Sequence, residues 1–184
     1  MDILAHTLWA NAAARGANAI ASKKEKRNFN INPAWTAFFG VAPDFFAFTA
    51  PFIIAIYQVI FLGSSFGGFS DHHREIAGFD IASYLYQFSH SLVIFVLVFI
   101  LVWVISKRPR YELLGWLLHI FIDIPSHMLA FYATPFLFPI SDYRFPYGIH
   151  WSNQWYMIVN YTLLLVVWGK IFLNKYSKKN LEIK

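Results

Sequence analysis

The chain contains no cysteine. Disulfides, thiolate metal sites and a cysteine nucleophile are therefore excluded, and any metal site must use His, Asp, Glu or water. Charge is also scarce. Asp, Glu, Lys and Arg make up 14% of the 184 residues, against about 25% in an ordinary soluble domain. There is no internal repeat and no low-complexity tract. No basic stripe is interleaved with aromatics on one soluble element, which argues against nucleic acid as a partner despite a net charge of +5.

What fills the space is apolar. Hydrophobic residues reach 58% and aromatics 20%, gathered in runs. The clearest is residues 83–106, where fifteen unbroken apolar or small residues begin at Ser91. About 20 such residues cross a bilayer. Residues 3–21 form an alanine-rich apolar segment with its basic cluster after it. A cleaved secretory signal has the opposite order. Residues 34–62 are apolar but contain Pro43 and Pro51. A proline inside a helix removes a hydrogen bond, so a half-helix at 34–42, a break at Pro43-Asp44 and a span from about 45 to 62 are expected. Residues 111–133 read as a fourth helix interrupted near Pro125, and residues 155–174 as a fifth. The 63–82 and 134–154 segments read as loops.

Three basic clusters follow apolar stretches: Lys23, Lys24, Lys26 and Arg27; Lys107, Arg108 and Arg110; and Lys170, Lys175, Lys178, Lys179 and Lys184. Positive charge flanks membrane helices on the cytoplasmic side. Five crossings place all three clusters inside and leave both loops outside. The expected fold is thus all-α: a polytopic, multi-pass membrane protein of about five helices, one of them broken at Pro43. It forms a single domain over 1–184, with a basic cytoplasmic tail from 174, in the cell's inner membrane. Helix one is the weakest crossing, because Arg15 and its asparagines also suit a helix on the surface or inside the bundle.

Ionisable groups inside membrane helices are costly and mark function by default. Here they are His6, Asp44, His90, His119, Asp123 and His127. By helical rise, His90 lies about 10 Å below the outer end of its helix, and His119 and Asp123 lie about 12–18 Å above the inner end of theirs. These depths can meet. His119 and Asp123, four residues apart, share a helix face. Their spacing lets imidazole and carboxylate converge on one ion, as the i, i+4 pair does in zinc proteases. Zinc, manganese or iron suits such donors. His127 continues that face, although Pro125 intervenes and can turn it away. Each residue alone is more often hydrogen-bonded structure than ligand. Several together, on separate apolar segments, favour a shared polar site holding a divalent metal, since buried charges must be paired or coordinated.

Several short stretches resemble the YdjM-type family of inner-membrane metal-dependent hydrolases. They are Ala5-His6-Thr7-Leu8, Gly40-Val41-Ala42-Pro43-Asp44, Ser89-His90-Ser91-Leu92, Gly115 to Asp123, and Thr134-Pro135-Phe136. Their order and spacing carry the resemblance over residues 5–140. It implies a helical membrane protein with a His/Asp metal centre, with His6, Asp44, His90, His119 and Asp123 as ligands. Phe45 and Phe46 stand where the family often has a second acid. Tyr86-Gln87-Phe88 stands where it often has His-Arg. Both departures fit a weaker or mononuclear site.

The function expected is metal-assisted hydrolysis of a lipid or lipid-linked phosphoester, with Asp44 or His127 as general base. His72, His73, Arg74, Arg144 and His150 in the outer loops could bind a headgroup. Gly63-Ser64-Ser65-Phe66-Gly67 matches the serine-hydrolase pattern, with Asp71 close by, but lacks the strand-turn-helix context. The rival classes are an ion or proton transporter using the same His and Asp residues, and a membrane subunit without chemistry.

Overall fold

The computed structural model describes residues 1–24, 29–63 and 79–182, and every regular element among them is helical. Six α-helices follow one another: α1 (Ile3–Lys23), α2 (Pro33–Leu62), α3 (Phe79–Ser89), α4 (Leu92–Ser106), α5 (Leu114–Ser126) and α6 (Gln154–Glu182). A single 3-10 turn, Tyr111–Leu113, precedes α5. Lys26, Arg27, Lys184 and the loop residues Ser64, Ser65, Asp71, His72, His73 and Arg74 lie outside the described residues.

Local chemistry explains several helix ends. Asp2 caps α1 by accepting from the Ala5 amide at 3.0 Å. Asn32 caps α2 by accepting from Ala34 and Trp35, and Pro33 occupies the first turn, where its missing N–H costs nothing. Gly63 ends α2 with φ 64°, a left-handed conformation that glycine adopts without strain.

Among the described residues, two helices are long and apolar enough to cross a membrane: Pro33–Leu62, with mean hydropathy 2.1, and Gln154–Lys175, with mean hydropathy 1.6. A third crossing is available if Asp80–Ser89 and Leu92–Ser106, bent by 60°, count as one. The five crossings expected from the basic clusters are therefore reduced to two or three. α5 has only 13 residues, which at 1.5 Å each gives about 20 Å against a core of about 30 Å. α1 has the length but not the surface. Its Asn18 side chain bonds both the N–H and the C=O of Ile31, and Asn11 donates to the Pro33 carbonyl. These groups hold α1 against the chain that enters α2.

The prolines of α2 also behave differently from expectation. The helix runs unbroken through Pro43 and Pro51. Membrane helices tolerate prolines where neighbours satisfy the freed backbone, and α1, α3 and α5 all pack against α2. The break falls instead in the segment that looks most continuous. His90 closes α3 by donating its amide to Tyr86, whereas the Leu92 amide donates to the Phe136 carbonyl at 3.0 Å. Ser91 then caps α4 through the Ile94 amide. A bond to a residue 44 positions away has replaced the helical one, and the chain turns at His90.

α1, α2 and α5 meet through small residues. A Cβ on Gly40 would strike the Ala10 side chain, and one on Gly115 would strike the Thr36 carbonyl. Glycine lets these backbones approach as membrane helix pairs commonly do. The outer surface is rich in large apolar side chains, among them Ile53, Ile60, Leu97 and Leu165. A polar group is among the most buried parts of the molecule: His6, His90, Ser91, His119, Asp123 and Ser126 are all at or below 1% exposure. That arrangement suits a lipid surrounding.

Candidate metal centre

Three elements bring four side chains together. α2 supplies Asp44, the elbow between α3 and α4 supplies His90, and α5 supplies His119 and Asp123. One ligand atom from each lies within 4.8 Å of the other three, so the group could hold a metal ion.

The orientation of each ring is set from behind. His119 Nδ1 lies 2.7 Å from the Gly40 carbonyl oxygen. A carbonyl only accepts, so Nδ1 carries a proton, and in the neutral ring Nε2 presents its lone pair. His90 Nδ1 lies 2.8 Å from Ser89 Oγ, whose own hydrogen can reach the Tyr86 carbonyl. In the neutral ring that arrangement again puts the lone pair on Nε2. Tyr86 stacks on the His90 ring at 3.7 Å and fixes its plane. The two Nε2 atoms then stand 3.0 Å apart.

Two lone pairs at that distance repel unless a proton or a cation lies between them. The carboxylates complete the case for a cation. Asp123 Oδ2 is 3.2 Å from His119 Nε2 and 3.5 Å from His90 Nε2. It is buried without a hydrogen-bond partner. Asp44 Oδ1 is 3.5 Å from His90 Nε2 and 3.7 Å from His119 Nε2. Ligand atoms at 2.0–2.1 Å around a tetrahedral ion are about 3.3 Å from one another. The five separations bracket that edge length. The carboxylates also offer negative charge to a cation, which offsets the cost of burying them. The donor set, the orphaned oxygen and the spacing all fit a metal.

The other oxygen of Asp123 faces a second set of groups. His6 Nε2 approaches Oδ1 to 2.9 Å, without the alignment of a hydrogen bond. The Met1 amino nitrogen lies 2.6 Å from the same oxygen, and Ser126 Oγ lies 3.2 Å away. His6 also stacks on His119, with ring centroids 3.8 Å apart and planes at 23°. It therefore stands behind two members of the four-residue group and outside that group itself. His127 follows the last turn of α5, yet Pro125 does not turn it away. Its Nε2 is 3.6 Å from Asp123 Oδ2 and 3.2 Å from the Met1 amine, and its Nδ1 is buried without a partner.

Asp44 is the least buried of the four, with 14% of its side chain exposed against 0–1% for the others. It marks the edge at which a reactant can approach. The described outer-loop candidates lie elsewhere. Arg144 donates to the Ala133 carbonyl, and His150 bonds Ser152 within its own turn. The serine-hydrolase pattern at 63–67 falls almost wholly outside the described residues.

Sequence reasoning passed over Ser89, Tyr86, Ser126 and the Gly40 carbonyl as partners of the site. Ser89 and Gly40 sit inside the short stretches that carried the resemblance, which was the available signal. Nothing in the sequence pointed to Ser126. The chain was compared with protein-family models, curated proteins and solved structures, and none of them matches it.

Proposed function

We propose that this chain is a membrane-embedded, metal-dependent hydrolase acting on a lipid or lipid-linked phosphoester. The observation that supports this best is the convergence of Asp44 Oδ1, His90 Nε2, His119 Nε2 and Asp123 Oδ2, with both imidazoles oriented by hydrogen bonds from behind. Zinc suits this N2O2 set, and manganese and iron are the other candidates. The short stretches shared with the YdjM-type family support the same reading. So does the position of the group in a bundle whose helices can cross a membrane.

A divalent ion held by these residues would supply Lewis-acid chemistry, activating water and polarising the bond to be cleaved. The chain's own residues do the rest. His90 and His119 hold their Nε2 lone pairs in place. Asp123 offers Oδ2 to the centre and is restrained through Oδ1 by His6 and Ser126. Asp44, at the exposed edge, meets the reactant. His127 stands beside Asp123, with Nε2 3.6 Å from Oδ2, and together with Asp44 is a candidate general base. A multi-pass placement in the inner membrane, with the lysine-rich tail on the cytoplasmic side, follows the rule that positive charge flanks membrane helices there.

Elemental analysis of the purified protein, followed by a phosphoester screen in mixed micelles, tests the proposal. Wild type should carry about one divalent ion per chain, as expected of a single four-ligand site. Asp123→Asn should lose it, and chelation should stop phosphate release. A metal-free wild type, or turnover that survives chelation, sinks the reading. Ion flux in liposomes that His119→Ala abolishes, with no hydrolysis detected, would replace it with a transporter.

A further inference from the structure

α2 and α4 both pack against α5 without closing on each other. Between them lies a cavity of about 800 Å³. Its walls are almost wholly apolar side chains, including Phe39 and Phe46 from α2 and Ile94 and Val98 from α4. The two ends differ. One is formed by Pro43, Phe88 and Ser89, beside the metal group. The other is formed by Trp35, Arg110 and Glu112. α2 fixes their separation: from Trp35 to Phe46 is eleven residues, or about 16 Å at the helical rise.

The charged end has the features of a membrane interface. Trp35 is exposed there, as interfacial tryptophans are. Arg110 belongs to the cluster Lys107, Arg108 and Arg110 and makes no side-chain hydrogen bond or ion pair with the described residues. Glu112 is already engaged, accepting from the Asn32 amide at 3.3 Å. Among the described residues the Arg110 guanidinium is thus an unpaired cation at this end, and a phosphate suits it as a partner. Basic pockets between membrane helices take anionic headgroups by the same chemistry. The apolar length beyond it suits a hydrocarbon chain, which is the medium around a spanning α2.

We propose that this groove binds an anionic phospholipid of the surrounding bilayer, with its phosphate at Arg110 and an acyl chain running along Val98 and Ile94 to Ser89. The site is separate from the hydrolase reading, because the headgroup lies at the end of the groove away from the metal group. The bound lipid fills the space between α2 and α4 and backs the helices that carry Asp44 and His90.

Two tryptophans report on the two ends. Trp116 donates to the Ser89 carbonyl and marks the deep end, while Trp35 marks the charged end. The probe is phosphatidylglycerol brominated either near the carboxyl end or near the methyl end of its chains, titrated into detergent-solubilised full-length protein. Bromine quenches tryptophan on contact. Fluorescence lost in Trp116→Phe should be the part quenched by methyl-end bromine, and that lost in Trp35→Phe the part quenched by carboxyl-end bromine. Arg110→Ala should weaken phosphatidylglycerol binding about tenfold, the size of one charge-assisted phosphate contact. Val98→Phe should abolish Trp116 quenching. Metal content should be unchanged in both variants. The inverse quenching pattern overturns the orientation and with it the proposal. So does quenching that is indifferent to bromine position and to Arg110→Ala, since that is ordinary boundary lipid. Arg110 is exposed, so its variant reads out binding even if Val98→Phe does not fold.

Discussion

The two faces of α2 live under opposite rules. Gly40 and Asp44, four residues apart, look into the bundle, where the Gly40 carbonyl receives His119 and Asp44 joins two imidazoles. Phe39 and Phe46 look into the apolar groove. On the first face every polar atom needs a partner, because an unpaired charge there is expensive. The inward face is therefore packed to the point where a single Cβ would not fit. On the second face nothing polar is at stake, and an open cavity is tolerated because lipid can fill it. The comparison teaches that one helix can hold a precise site and a loose one. What decides tolerance is the chemistry each face must satisfy, and not its depth.

Substitutions on the two faces should therefore differ in size, and the largest effect belongs to the polar face. Asp123→Ala leaves His6, His90 and His119 without their shared carboxylate. It should cost about 3–5 kcal/mol, as breaking a buried ionic network does, and should remove the metal. Denaturant unfolding in detergent and elemental analysis read both. A loss confined to metal, with stability intact, would show that the carboxylate is not part of the fold's own accounting.

Next is Gly115→Ala. The added methyl meets the Thr36 carbonyl, so α5 must move off α2 and draw His119 from Gly40. Overpacking of this kind costs about 1–3 kcal/mol. Thermal unfolding measures it, and a neutral result would mean that the close helix contact yields without cost. His6→Ala keeps all four converging atoms but removes the ring stacked on His119 and set against Asp123 Oδ1. Metal affinity should fall about tenfold, the lower end for groups that orient ligands, as read by competition with a chelator. Complete loss of the metal would instead make His6 a ligand.

The smallest effect should come from the groove face. Phe46→Leu should change stability by no more than about 0.5 kcal/mol and leave metal content unchanged. If it depletes the metal, the two faces are coupled and the contrast fails.

The candidate membrane helices were legible because apolar runs are a local property. α2 and α6 contain the strongest candidate crossings, and both stand out as runs in the sequence. The candidate polar residues were legible for the complementary reason, since ionisable groups are rare and costly in such runs. Their second partners were less so. Ser126 looks like any serine until α5 turns it toward Asp123.

Composition and order alone determined a helical chain with apolar runs long enough to cross a membrane, without thiol chemistry, whose interior must reconcile imidazoles with carboxylates. Tertiary structure decided where the helices stop. Pro43, the expected break, lies inside a continuous helix supported by its neighbours. His90, inside the most uniform apolar run, sits at an elbow because the Leu92 amide finds the Phe136 carbonyl. A helix ends where its backbone bonds are claimed elsewhere, and a claimant 44 residues away leaves no mark on the local sequence. The same elbow turns His90 toward His119 and Asp123, so the long-range bond that interrupts the apolar run also helps to assemble the candidate metal centre.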